Sequence, residues 1–232
     1  MVSSLDNSRA NQREQLFEVS VFLFLILPSL ALSFLAIKEG DLSFVLTAVS
    51  TILRDLALVS LILFFLWHNS ESVAMIGWTL QNGWKDVALG IGLFIPMFFG
   101  AGLLDSALQA AGFSAPSTPQ PAALAAKGIG EYLLAIVLVS VVAIAEETIF
   151  RGYLIVRFRA VTASPTLAII LSAVIFSLGH GYEGTSGVVT VGAMGLTLAV
   201  IYLWRQSLVA PMVMHFLQDF TGIVLAPWLG LK

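Results

Sequence analysis

The chain has no cysteine, which removes disulfide frameworks, thiol nucleophiles and thiolate metal sites together. Charge is nearly as scarce, with 11 Lys and Arg and 14 Asp and Glu among 232 residues. The net charge of −3 and the lack of a basic run argue against nucleic-acid binding. No internal repeat relates the two halves, which weakens a reading as an inverted-repeat transporter. What fills the sequence instead is apolar: 58% hydrophobic residues and a mean hydropathy of +0.95. So few polar residues cannot cover a soluble globule of this length, and the apolar runs are long enough to cross a ~30 Å hydrocarbon layer. The expectation is all-α: a polytopic membrane helix bundle of about seven transmembrane helices, whose chemistry must come from Glu, Asp, His and hydroxyl groups.

Taken in order, residues 1–18 read as a polar N-terminal tail and 19–232 as one transmembrane domain. The tail carries Asp6, Glu14 and Glu18, and the apolar run 19–37 exceeds a usual signal core, so it reads as a retained span with a kink at Pro28 rather than a cleaved leader. A second run, 42–67, holds Arg54 and Asp55 at its centre. Adjacent residues do not face each other on a helix, and structural ion pairing within the bundle is the reading. Residues 68–86 are polar enough to lie at a membrane surface, anchored by Trp67, Trp78 and Trp84. A third span covers 87–111. The stretch 112–130, with Pro116, Pro119 and Pro121, is too interrupted to cross and is expected to cover a lateral substrate entrance. Four further helices follow: 132–160, 166–180, 188–204 and 208–229. Arg9, Arg13, Lys85, Arg157, Arg159 and Arg205 fall on one side of this arrangement, and Lys38, Lys127 and Lys232 on the other. The basic bias puts the N-terminus in the cytoplasm and the C-terminus outside, and the plasma membrane is the expected location.

Three ionisable residues interrupt the fourth span: Glu146, Glu147 and Arg151. Each unpaired charge at bilayer depth costs roughly 2.5–3.5 kcal/mol. Glu147 and Arg151 are four apart and can pair on one face, while Glu146 points about 100° away and needs another partner. Counting rise per residue places Glu146 roughly 21 Å from Ala160, and His180 roughly 22 Å from Pro165. From Ser207, His215 lies at roughly 12 Å and Asp219 at roughly 18 Å. The four residues thus share one layer, and in hydrocarbon a solvated-face explanation does not apply to them.

The motifs Glu146-Glu147-x-x-x-Arg151, Phe176-x-x-x-His180 and His215-x-x-x-Asp219 resemble, in order, spacing and membrane setting, those of the CAAX-processing and bacteriocin-processing (CPBP, or Abi) intramembrane proteases. The resemblance covers roughly 84–230. Asp219 stands where the branch that trims prenylated CAAX proteins usually has Asn. The resemblance implies an intramembrane endopeptidase of the glutamic type, with no cofactor, acting on a membrane-anchored or hydrophobic peptide substrate. It implies Glu146 as the base that activates water and His180 as a group that holds it, with His215 and Asp219 on the substrate carbonyl or its oxyanion. Glu147 and Arg151 take a structural role, and Phe176 packs the wall. Two histidines with carboxylates are also an acceptable zinc set, so a zinc-dependent protease using Glu146, His180, His215 and Asp219 is the alternative. A non-catalytic immunity or scaffold protein and a proton-coupled transporter complete the readings.

Overall fold

Nearly every apolar run of the chain continues as helix until a cap or a turn residue stops it, so the local rules already divide the molecule. The computed structural model describes residues 2–33, 43–115 and 125–230. These form seven helical runs: α1 (Val2–Ser33), α2 (Phe44–His68), α3 (Gly83–Ala110), α4 (Gly128–Thr162), α5 (Pro165–Leu178), α6 (Gly184–Arg205) and α7 (Val209–Trp228). No strand occurs among the described residues. By length and composition α2, α3, α4, α6 and α7 can each cross a membrane, and α5 is a shorter apolar helix. The all-α bundle expected for an integral membrane protein is therefore present, with five helices of spanning length and composition among the described residues where about seven were expected. The turn at 38–41 and the centre of the proline-rich stretch, 116–124, including Pro116, Pro119 and Pro121, lie outside the described residues, as does Lys232.

Caps set several boundaries. Ser43 accepts the amide of Leu46 to start α2, and Ser164 accepts that of Leu167 with Pro165 at the first position of α5. Ala163 and Gln206, in left-handed conformation, end α4 and α6. Helix α1 begins inside the polar segment, so residues 2–18 form one helix with residues 19–33. Gln12 donates to the carbonyl of Val161 at 3.1 Å, tying that segment to the end of α4.

Half of the most apolar window is buried in both α4 and α6, against 6% in α3, so α4 and α6 are central helices and α3 is peripheral. Around the second half of α4 gather Phe22 of α1, Ile62 and Leu66 of α2, Phe176 of α5 and Tyr202 of α6. The segment 69–86 does not lie flat on the surface. Ile76 is fully buried, the Trp78 indole donates to Thr148 of α4 at 2.9 Å, and Leu208 donates to the Gly77 carbonyl at 3.0 Å. Trp67 and Trp84 are exposed. Arg157 bridges Glu71 and Glu18, and Arg205 pairs with Asp86 at 2.8 Å. Backbone and charge together thus draw this connector up beneath the ends of α4, α6 and α7. At the opposite end Ser114 donates to Thr185 at 2.8 Å and accepts from Ser186 at 3.1 Å. The first residues of the proline-rich stretch are therefore pinned to the start of α6.

Candidate active site

The glutamate pair sits where α4 changes its winding. The chain is α-helical over Gly128–Glu146, π-helical over Glu147–Leu154 and α-helical again over Ile155–Thr162. Gly152 therefore does not break the helix. Its missing side chain admits the connector: a Cβ there would sit 2.8 Å from the Ile76 carbonyl oxygen. π-helical segments inside α-helices are frequent at functional sites, because the wider turn redirects side chains.

The two glutamates have different environments. Glu147 is fully buried, and its Oε1 accepts from Arg151 Nη1 at 2.8 Å while standing 2.8 Å from His215 Nδ1. A carboxylate only accepts, so Nδ1 of His215 carries the donated proton and Nε2 points the other way. That Nε2 lies 3.7 Å from Glu146 Oε2 and 3.5 Å from Asp219 Oδ2. The Glu146 and Asp219 side chains are 16% and 23% exposed, against 7% for His215, although Glu146 Oε2 itself is buried. Glu146 Oε2 has no hydrogen-bond partner.

Phe176 does more than line a wall. The Arg151 guanidinium lies over its ring at 4.1 Å, a cation–π contact that supports a buried charge. Its centroid is 5.0 Å from His180 and 5.9 Å from His215, so the two imidazoles flank one aromatic ring. Gly195 of α6 closes the group from behind, since a Cβ there would meet Phe176 at 3.2 Å and Arg151 at 3.3 Å. His180 was expected inside the fifth helix. Helix α5 ends at Leu178, capped by Gly179, and His180 occupies the following turn beside Tyr182, with its Nδ1 3.2 Å from the Phe176 carbonyl oxygen.

The structure thus gathers Glu146, Glu147, Arg151, Phe176, His180, His215 and Asp219 from α4, α5 with its following turn, and α7. Sequence spacing exposes the Glu147–Arg151 pair but not the Glu147–His215 bond, which joins residues 68 apart. His215 Nε2, Glu146 and Asp219 offer donor types that zinc accepts. Among the described residues, however, no three His, Asp or Glu side chains form a set able to hold a metal ion.

Residues 128–221, less than half of the chain, match the family model described as Type II CAAX prenyl endopeptidase Rce1-like. No curated protein and no solved structure matches the chain. The matched stretch contains all three motifs, lies inside the expected 84–230 and bears out the resemblance over those residues.

Proposed function

We propose that the protein cleaves membrane-anchored or hydrophobic peptides by a glutamate- and histidine-assisted attack of water, within the bundle formed by α4, α5 and α7. Glu146 takes a proton from water as the water oxygen bonds to the scissile carbonyl carbon, and His180 helps to hold that water. His215 and Asp219 face the carbonyl: protonated on both nitrogens, His215 donates from Nε2 to the oxyanion, and Glu147 balances the charge at Nδ1. As the C–N bond breaks, the proton on Glu146 passes to the leaving nitrogen. The observation that carries this reading is the contrast between the two glutamates. Glu147 is closed off from solvent with its Oε1 bonded to both Arg151 and His215, while Glu146, 16% exposed, stands beside His215 Nε2 without such a bond; the Oε2 atoms of both are unpartnered.

The substrate classes follow from the family resemblance: prenylated peptides ending in a CAAX sequence, or bacteriocin-related peptides. Hydrolysis within the bundle requires water to enter, so this reading implies a polar cavity open to one membrane surface. The basic bias orients the N-terminus to the cytoplasm, and the plasma membrane is the proposed location.

The test uses purified protein in liposomes and two quenched fluorescent peptides, one prenylated at a CAAX end and one a lipid-anchored peptide without that end. Glu146→Gln should lower kcat by about 10²–10⁴-fold with an unchanged melting curve, and a chelator should leave the wild-type rate as it was. A rate abolished by chelation and restored by zinc would replace this mechanism with the zinc-dependent one. Full activity in folded Glu146→Gln protein defeats both, and cleavage of neither peptide favours the immunity or scaffold reading.

A further inference from the structure

A trough of about 390 Å³ runs between α3, α6 and α7, on the side of α7 away from α4. Its walls are mostly apolar and adaptable: Met97, Met194 and Met214 face it from the three helices, and methionine moulds itself to ligands of varied outline. From Leu93 to Leu104 the α3 wall rises about 16 Å, close to half of a ~30 Å hydrocarbon layer. The trough therefore has the length of a lipid chain within one leaflet.

One end of it is polar. Thr190 lines the trough, is 7% exposed, and its Oγ1 has no hydrogen-bond partner. Helical spacing carries the same faces one turn further, to Ser186 beyond Thr190, Gln218 beyond Met214 and Asp105 beyond Ala101. Each adds a buried oxygen without a hydrogen-bond partner: Ser186 Oγ, Gln218 Oε1 and Asp105 Oδ1. The charges of Asp105 and Asp219 both reach Glu183 in the turn before α6, so the polar end lies beside Asp219 and the candidate active site. Met214 in the trough wall and His215 in the site are neighbours on α7, so a single helix separates the two spaces.

Charge selects the occupant. Helices α3, α6 and α7 carry Lys85 and Arg205 at their opposite end and no Lys or Arg along the trough, and Arg205 is already paired with Asp86. A phosphate or free carboxylate at the polar end would meet Asp105, Glu183 and Asp219, a like-charge juxtaposition that costs several-fold in affinity. An uncharged ester, amide or thioether escapes that repulsion, and hydroxyl and carboxamide groups stand ready to bond it.

We propose that the trough holds the lipid chain of the substrate, joined to the peptide through an uncharged linkage that sits at Thr190, Ser186 and Gln218, with the peptide passing from there toward His215 and Asp219. The inference deepens the proposed cleavage of membrane-anchored peptides and rests on it. Binding of the chain, remote from the reacting bond, then holds the peptide at the site.

Filling the trough tests this. At Gly100 a Cβ would meet nothing within 4 Å, so the ring of Gly100→Phe extends into the trough without displacing a neighbour. Gly102→Phe, equally unobstructed and about 200° round the helix, is the control. Protein in liposomes receives one peptide sequence with and without its lipid chain. Gly100→Phe should raise KM for the chain-bearing peptide about tenfold, as if two methylenes were lost from burial, with kcat kept and the chain-free peptide unaffected. Thr190→Val, which keeps the shape and removes the hydroxyl, should raise the same KM about threefold to tenfold. Gly102→Phe should change neither peptide. A second readout needs no cleavage: a diazirine at the end of the peptide's chain should label the segments around Leu93 and Ile201, and Gly100→Phe should abolish that labelling. Phosphatidylglycerol bearing the same diazirine should label them several-fold less. Equal labelling by both probes makes the trough a site for membrane lipid and overturns the proposal, as does labelling elsewhere or an unchanged KM in folded Gly100→Phe protein that still cleaves. If the wild type cleaves neither peptide, the peptidase reading fails, and the labelling pattern alone still upholds or removes the trough.

Discussion

Glu147 Oε1 serves two cationic or donor groups at 2.8 Å each, Arg151 Nη1 and His215 Nδ1, in a place with no access to solvent. Removing its charge strands a fully buried guanidinium, a change that costs about 3–5 kcal/mol in buried ion pairs. Glu147→Gln is therefore expected to lower the melting temperature in detergent by an amount on the order of 10 °C, with activity lost alongside stability. Glu146→Gln, one residue away, should lose activity with no such change in melting. A Glu147→Gln protein that melts like wild type would remove the stabilising role assigned to Glu147.

At the scale of the element, α4 holds its site residues through a π-helical stretch fitted against the segment Val73–Ile76. The fit depends on Gly152, where an added Cβ would stand 2.8 Å from a backbone carbonyl oxygen that cannot rotate away. Gly152→Ala should push the connector off α4 and break the Trp78–Thr148 bond, costing about 1–3 kcal/mol. The loss is readable as a lower melting temperature and a red-shifted tryptophan emission. Gly92 of α3, where a Cβ would meet nothing within 4 Å, is the control and should tolerate alanine. Equal melting temperatures for the two variants would remove the argument. Most of α4 was legible beforehand: its span, its Glu147–Arg151 pair and its end near Ala160. Its π winding was not, because the same residues satisfy either winding and the choice depends on what packs against Gly152.

For the whole molecule, contacts sort the loops into two ends. Residues 69–86, the end of α4 and the α6–α7 turn meet at one, and Ser114 with Thr185 marks the other. The cysteine-free sequence permits a direct test of orientation. Lys85→Cys and Lys127→Cys, both exposed positions, should label differently in intact cells: an impermeant maleimide should modify the second and spare the first until the membrane is opened. The reverse pattern inverts the proposed topology.

Composition alone determined that this is a helical membrane protein, and spacing alone brought out the three motifs and the i,i+4 pair, because both are local properties of a regular helix. Tertiary structure decided which faces meet. It set His215 against Glu147, placed Phe176 between two imidazoles, and moved His180 just beyond the end of α5. The physical reason lies in the solvent. In water an apolar stripe reveals the buried face of a helix, but in a chain that is 58% hydrophobic the lipid-facing and protein-facing sides read alike. Rotation and register are then settled only by how side chains interlock between helices.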